Sequence, residues 1–180
     1  MTPYFVAFFR NVNLGHPKSP TRAQLEAAFT GAGAAFAQSF QTNGTVIFSG
    51  DTEQAARDTV ARACDTLREE CGMMEPAFIA SLPHLIECVD TDPFANLPPE
   101  GMPLASFLAP DGLASLSVAQ RSPRGDVEIV RVTSQVVLSV SRKVMSSPGD
   151  PTPFLEKLLN GPATTRSWGT IQRLVRKYRQ

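Results

Sequence analysis

Side chains suited to holding an anionic ligand are concentrated in three short stretches, at residues 10–13, 42–43 and 165–168. A guanidinium group can bind phosphate or carboxylate through two parallel hydrogen bonds, and amides and hydroxyls add further donors. An indole ring can stack on a base or another ring. The candidate ligand-binding residues are Arg10, Asn11, Asn13, Thr42, Asn43, Thr165, Arg166 and Trp168.

Recognisable catalytic motifs are missing from the sequence. His16 and His84 belong to no nucleophile arrangement such as G-x-S-x-G, and residues 11–15 match no phosphate-binding glycine motif. The three candidate stretches hold no carboxylate or histidine to act as a general base. We therefore expect no enzymatic activity, cofactor or metal, and keep open a small-molecule enzyme in which Arg10 or Arg166 orients a phosphate or carboxylate.

The composition is that of an ordinary globular chain. The 180 residues are 42% hydrophobic and 19% charged, with a formal net charge of zero. Apolar runs stay short of the roughly 20 residues that a membrane span needs, and the N-terminus lacks a basic segment before an apolar one. We expect a cytoplasmic monomer that does not bind membranes.

The three cysteines are expected to be buried free thiols. They are Cys64, Cys71 and Cys88, and they form no C-x-x-C pair. Seven residues separate the first two on a predicted helix, or about 10 Å along its axis. That distance is too long for a disulfide.

Basic residues are concentrated at the C-terminus. The segment 164–180 contains five basic residues and no acidic one. This asymmetry indicates either a polyanionic partner or a basic helix docked on its own acidic body, and we favour the docked helix. The basic residues are Arg166, Arg173, Arg176, Lys177 and Arg179.

The element that positions the first candidate stretch is an uninterrupted apolar run at residues 4–9. Its aromatic and β-branched content predicts a central strand that is buried on both faces. The run stops at Arg10, where a polar loop with two asparagines and a glycine begins. Loops at the ends of central strands are common ligand sites in α/β folds.

The pattern over residues 4–80 predicts the order β-α-β-β-α-β, which is typical of a ferredoxin-like sandwich. The first helix begins either at Pro20 behind a Ser19 cap or at a capping box of Thr21 and Gln24. The Asn-Gly pair near residue 44 predicts a hairpin. The predicted elements are a strand at 4–9, a helix at about 20–32, strands at 36–41 and 45–49, a helix at 52–71 and a strand at 76–80.

This order has a consequence for the candidate residues. If the first crossover is right-handed, the first two strands run in the same direction. The loop after the first strand, the N-terminus of the first helix and the hairpin then share one edge of the sheet. That edge could hold an anion, because a helix N-terminus offers unpaired N–H groups and a partial positive charge. The residues expected there are Asn11, Asn13, Lys18, Thr21, Thr42 and Asn43.

Residues 81–180 are expected to form a second, less regular α/β lobe, which together with a lobe at 1–80 makes one compact unit. We interpret residues 110–112 as a turn and residues 113–119 as either helix or strand. Thr164 or Thr165 is expected to cap a final helix that turns Tyr178 inward. The other predicted elements are helices at 82–89 and 151–159, a strand at 104–109, and an antiparallel pair at 127–132 and 136–140.

Four stretches resemble the domain of unknown function 1697 family. They are FRNVNLG at 9–15, FQTNGTVIF at 40–48, DPF at 92–94 and ATTRSWGT at 163–170, and their order and spacing match over nearly the whole chain. Asn11 replaces a glycine of the usual family pattern. The resemblance implies a cytoplasmic bacterial α+β protein with a ferredoxin-like N-terminal half, and it implies no activity.

Taken together, these features favour a non-catalytic protein that binds an anionic small molecule or another polyanion at the sheet edge beside residues 11–15. A weak RNA-binding module is an alternative, although the aromatic motif of RNA-binding sheets is missing. Arg166 and Trp168 also have a structural interpretation, as an internally paired arginine and a tryptophan packed between the lobes. A single pocket that joins Arg10, Asn13, Asn43 and Arg166 is a further hypothesis.

Overall fold

Antiparallel sheets and helices make up the chain in the computed structural model, which describes residues 3–144 and 146–179. The mixed α/β character agrees with the predicted α+β class. The chain divides into two units, Met1–Pro83 and His84–Gln180. No helix in the described ranges is both long and apolar enough to cross a bilayer.

The first unit contains a four-stranded antiparallel sheet with the order β2-β3-β1-β4. β1 is an interior strand and, as predicted, five of its six residues are buried. β1 and β2 run in the same direction, because each pairs antiparallel with β3. The elements are β1 (Tyr4–Phe9), α1 (Arg22–Gly31), β2 (Ala37–Phe40), β3 (Thr45–Ser49), α2 (Glu53–Cys71) and β4 (Ala77–Ser81).

The capping box starts α1, and the alternative start behind a Ser19 cap is wrong. Thr21 accepts a hydrogen bond from the Gln24 backbone N–H, and the Gln24 side chain accepts one from the Thr21 backbone. These two bonds satisfy N–H groups that would otherwise lack partners in the first turn. The Ser19 hydroxyl instead accepts a hydrogen bond from the Asn13 N–H at 3.3 Å.

Both helices of the first unit contribute to one apolar core on the sheet. Leu25 and Phe29 from α1 and Leu67 from α2 are fully buried. The ring of Phe29 lies 4.9 Å from the ring of Phe48 on β3, measured between centroids. This packing fixes where β1 ends and therefore where its polar loop begins.

α1 also covers the outer edge of β2. The Ser39 N–H donates to the Glu26 carboxylate at 2.8 Å, and the Arg22 guanidinium donates to the Ser39 carbonyl at 3.0 Å. An edge strand whose backbone groups are satisfied in this way is a poor template for pairing with another chain.

The second unit contains a four-stranded antiparallel sheet with the order β10-β5-β7-β6, together with a short β8-β9 pair. The predicted antiparallel pair is confirmed as β6 and β7, and the predicted helix at 151–159 as α5. The elements are α3 (Leu82–Asp90), β5 (Met102–Leu108), α4 (Pro110–Ala114), β6 (Val127–Val132), β7 (Val137–Ser141), β8 (Lys143–Val144), β9 (Ser147–Pro148), α5 (Pro151–Leu159), β10 (Ala163–Ser167) and α6 (Trp168–Tyr178).

Three predictions for the second unit are wrong. Residues 110–112 begin α4 rather than form a separate turn, since Pro110 suits the first helical turn. Thr164 and Thr165 do not cap α6, because they belong to β10, and Ser167 caps that helix instead. Tyr178 is only half-buried, whereas Ile171 and its neighbours on the inner face of α6 are buried.

Gly44 is the tightest point of the hairpin between β2 and β3. Its φ is +68°, and its carbonyl accepts a hydrogen bond from the Phe9 N–H at 2.8 Å. A Cβ atom at this position would lie 2.8 Å from the Val12 Cβ and 2.9 Å from the Phe9 Cβ. Gly15 has a similar φ of +81° but has open space where a Cβ would be.

We predict that Gly44→Ala lowers the free energy of unfolding by about 2–3 kcal/mol, because it adds a steric overlap to the left-handed strain. Gly15→Ala is the matched control and should cost only about 1 kcal/mol, since it adds the strain alone. Urea denaturation of both variants measures the difference. Equal losses of unfolding free energy in the two variants would show that contact with Val12 and Phe9 does not constrain residue 44.

Candidate functional site

Two loops of the first unit meet at one edge of its sheet. The Leu14 N–H donates to the Thr42 carbonyl at 2.8 Å, which joins the loop after β1 to the hairpin after β2. We call this surface, formed by residues 10–22 and 41–44, the N-terminal edge. Five of the eight candidate residues lie in these ranges: Arg10, Asn11, Asn13, Thr42 and Asn43. All but Arg10 belong to the set that topology predicts for this edge.

Arg10 is engaged at the base of the N-terminal edge. Its guanidinium Nη1 donates to the Glu75 carboxylate at 3.1 Å, and about a third of each side chain is exposed. The Arg10 N–H donates to the Pro76 carbonyl at 3.0 Å. Both contacts tie the end of β1 to the segment before β4, so the charge of Arg10 is compensated in place.

The other four candidates on this edge divide into exposed and engaged side chains. Asn11, Asn13 and Thr42 are exposed. The Asn43 side chain belongs to the hairpin itself: its Oδ1 accepts a hydrogen bond from the Thr45 hydroxyl at 2.9 Å, and its amide lies 3.4 Å from the Gln41 side-chain oxygen. Asn43 therefore shapes the edge, and the three exposed side chains remain available to a ligand.

Three of the six non-glycine residues with a positive φ in the described chain lie on the N-terminal edge, and the other three are Asp92, Ala119 and Asn160. Asn11, Lys18 and Gln41 have φ values of 50°, 59° and 64°, and Gly15 and Gly44 add two more positive angles. Asparagine tolerates this region, which accounts for Asn11 at a position where the family pattern has glycine. Lysine and glutamine adopt it only at an energetic cost, and such strain tends to cluster at functional sites.

Sequence reasoning missed Arg22 as a member of the site. Arg22 is the first residue of α1, and its guanidinium reaches the end of β2, where it donates to the Ser39 carbonyl. About half of its side chain is exposed. Its position at the helix N-terminus was a usable signal, because the first turn of α1 was already expected at this edge. Arg22 and Lys18 place two positive charges beside that turn.

Arg166 lies inside the second unit. Only 8% of the residue is exposed, and its Nη1 donates to the Thr164 hydroxyl at 2.7 Å and to the Thr165 carbonyl at 3.0 Å. Burial lowers the pKa of the Arg166 guanidinium to about 10. The side chain therefore stays charged at neutral pH and is held by its own strand.

Thr165 also has a structural position. Its hydroxyl lies 2.8 Å from the Ser106 hydroxyl on β5 and accepts a hydrogen bond from the Thr152 hydroxyl on α5, also at 2.8 Å. The three hydroxyls form a chain that joins β10 to its neighbouring strand and helix. A ligand at Thr165 would have to break this chain.

Trp168 packs against Phe94 within the second unit. The two rings meet edge to face with 5.3 Å between their centroids, and Trp168 is 3% exposed. Within the described residues, the indole Nε1 has no hydrogen-bond partner. This contact joins two stretches that the sequence singled out separately, DPF at 92–94 and ATTRSWGT at 163–170. The pocket that would join Arg166 to the N-terminal edge stays a prediction.

Burial disfavours the charged forms of two thiols, Cys64 and Cys88, and of the His84 imidazole. Burial raises the pKa of the Cys64 thiol to about 11 and also raises the pKa of Cys88. The Cys88 Sγ lies 3.7 Å from the Nε2 of His84, and burial lowers the pKa of that imidazole. The described ranges contain no group of three or more His, Cys, Asp or Glu residues placed to hold a metal ion.

Comparison with known proteins decides the family. The model described as "Protein of unknown function (DUF1697)" matches residues 1–137. The chain belongs to the DUF1697 family. This confirms the membership inferred from the four sequence stretches, the last of which lies beyond the matched residues. No curated protein matches the sequence.

A solved structure has a similar fold to this DUF1697 chain. It is that of the conserved bacterial protein SP0830 from Streptococcus pneumoniae, with a TM-score of 0.66 and 14% sequence identity over 100% of both chains. At this level of identity the similarity concerns the fold alone.

We predict that Cys64 and Cys88 react slowly with iodoacetamide at pH 8. A thiol with a pKa of about 11 is only about 0.1% thiolate at that pH. Peptide mass spectrometry should show labelling at least about tenfold slower than in urea-unfolded protein. Rapid labelling of the folded protein at either position would contradict the burial of these thiols.

Proposed function

We propose that this DUF1697 protein is a non-catalytic binding protein that takes an anionic small molecule at the N-terminal edge. The observation that carries it is the left-handed backbone of Asn11, Lys18 and Gln41 in two loops that hydrogen-bond to each other. Half of the non-glycine residues with a positive φ in the described chain lie at this edge, and backbone strain of this kind tends to cluster at functional sites.

Charge supports an anion as the ligand. Residues 10–22 and 41–44 include three basic residues and no acidic one; Arg10 lies 3.1 Å from the Glu75 carboxylate and Arg22 lies 3.9 Å from that of Glu26. Lys18 and Arg22 flank the first turn of α1, whose N–H groups and dipole also favour negative charge. A phosphate or carboxylate at this position would gain charge-assisted hydrogen bonds.

The neutral groups of the edge suit a small polar ligand. Asn11, Asn13 and Thr42 present amide and hydroxyl groups next to the two basic side chains. The alternative enzyme would use Arg10 or Arg166 to orient its substrate. Arg10 is held by Glu75 and Arg166 is buried against its own strand, and these contacts favour binding without catalysis.

The structural setting of this proposal has two parts. We take the first unit as a ferredoxin-like βαββαβ domain, an assignment supported by its element order and by the strand order β2-β3-β1-β4. We take the second unit as a separate α/β domain that ends in the basic helix α6. We further propose a cytoplasmic bacterial monomer, which is the expectation from the sequence.

Isothermal titration at low salt with inorganic phosphate, ADP and succinate tests the proposal. At least one probe should bind saturably and raise the melting temperature. Lys18→Gln should weaken that binding about tenfold, the typical effect of losing one charge-assisted contact. Lys157→Gln removes an exposed lysine of the other unit and is the matched control.

A second variant at Lys18 relieves the strain of its left-handed backbone as well as removing its charge. Lys18→Gly should weaken binding as Lys18→Gln does, while leaving the free energy of unfolding unchanged or raising it by up to about 1 kcal/mol, because glycine accepts a positive φ. The proposal is wrong if none of the three probes binds, or if Lys157→Gln weakens binding as much as Lys18→Gln.

A further inference from the structure

α6 separates apolar and basic residues onto opposite faces. Trp168, Ile171, Leu174 and Val175 are buried on its inner face. The outer face carries exposed polar and basic side chains: Gln172, Arg173, Arg176 and Lys177. The helix is therefore held in its unit by apolar packing, and its basic face is turned to solvent. The helix is thus docked, as the sequence favoured, chiefly through apolar packing, and of its basic residues Arg179 pairs with an acidic residue, Asp90.

Most arginines of the chain have a carboxylate partner within ion-pair distance. Arg173 and Arg176 have none among the described residues, and the single side-chain contact recorded for Arg173 is with the Thr170 hydroxyl at 3.2 Å. Two fixed positive charges one turn apart are thus left without compensation. The paired arginines are Arg10, Arg22, Arg57, Arg68, Arg121, Arg124, Arg142 and Arg179.

A cavity of about 230 Å³ lies beside this basic face. It is lined by two arginines, Arg176 and Arg179, together with Val89, Gln172 and Val175. Arg179 is anchored there by an ion pair with Asp90 at the end of α3. The cavity gives the basic face a concave point at which a tetrahedral anion can be held between guanidinium groups.

The chemistry of this face distinguishes a nucleic acid from a protein partner. Protein interfaces need a desolvated apolar centre, and the large hydrophobic residues that are exposed elsewhere in the chain are all outside α6. Binding to a phosphate backbone needs only cations that displace counterions. Arg173 and Arg176, which have no carboxylate partner among the described residues, stand on a face without an exposed large apolar residue, and this matches a phosphate backbone better than an acidic protein segment.

We infer that the outer face of α6, with Arg173, Arg176 and Lys177, is a sequence-independent docking surface for the phosphate backbone of a nucleic acid. The surface belongs to the second unit and does not depend on the small-molecule site proposed at the N-terminal edge. The one aromatic residue next to this face in α6, Tyr178, is half-buried with the Lys177 Nζ 4.9 Å from its ring centroid, so affinity comes mainly from charge and falls with salt.

The expected salt dependence is quantitative. Three phosphate contacts on single-stranded DNA predict a slope of about −2 for the logarithm of the binding constant against the logarithm of salt concentration. Replacing Arg173 and Arg176 by glutamine leaves one contact and reduces the slope to about −0.7.

Fluorescence anisotropy with fluorescein-labelled dT20 between 50 and 200 mM NaCl measures these slopes. The double variant Arg173→Gln/Arg176→Gln should bind at least about tenfold more weakly at the lowest salt. The control Arg57→Gln/Arg68→Gln removes two paired arginines from α2 with the same change in net charge, and its binding should stay within about twofold of the parent protein. Circular dichroism establishes that both variants are folded.

Three outcomes would overturn the inference. One is the absence of dT20 binding at 50 mM salt, and another is equal weakening by the control and the α6 variant. The third is equal competition by a poly-glutamate peptide of the same length, which would assign the face to acidic peptides. Lys18→Gln should leave dT20 binding unchanged. If Lys18→Gln weakened dT20 binding, the DNA would instead bind at the N-terminal edge. The two proposals can therefore fail independently of each other.

Discussion

The close approach of two backbone segments at Gly44 is the constraint on which the N-terminal edge depends. The Phe9 N–H reaches the Gly44 carbonyl, and there is no room for a side chain between Gly44 and Val12. Phe9 is the last residue of β1, an interior strand of its sheet, so the two loops leave from a buried base. A base of this kind can support the left-handed conformations of Lys18 and Gln41, which isolated loops would relax.

The same residue types have different roles in the two units, and the burial of each side chain determines its role. Exposed hydroxyl and amide groups such as those of Thr42 and Asn13 can exchange water for a ligand at little cost. Thr165 is instead part of a hydroxyl chain between β10, β5 and α5, and Arg166 is bonded to its own strand. Displacing such internal partners would leave buried polar groups unsatisfied, at about 1–3 kcal/mol each. Trp168 is similarly held by packing against the ring of Phe94.

Local signals predicted much of the first unit and less of the second. The apolar run of β1, the capping box at Thr21 and the Asn43-Gly44 pair act within a few residues, and each placed its element correctly. Topology then brought the edge residues together. The strand β10 escaped prediction because it exists through pairing with β5, far earlier in the chain, while its threonines locally resemble a helix cap. The position of Arg22 depends on which carbonyls lie opposite it, and a sequence pattern does not specify that.

The net charge of this chain is zero, but that total does not indicate which parts of its surface can bind anions. Most arginines are neutralised by a nearby carboxylate, so their charges contribute little potential beyond the pair. Arg173 and Arg176 on α6 have no carboxylate partner among the described residues, and on the N-terminal edge the same is true of Lys18, whereas Arg10 and Arg22 are paired with Glu75 and Glu26. On the N-terminal edge, strained loops and a helix N-terminus surround the cations, which suits a small ligand of defined shape. On α6, Arg173 and Arg176 stand on a regular helix without exposed apolar neighbours, and a regular row of charges recognises a repeating polyanion rather than a particular small molecule.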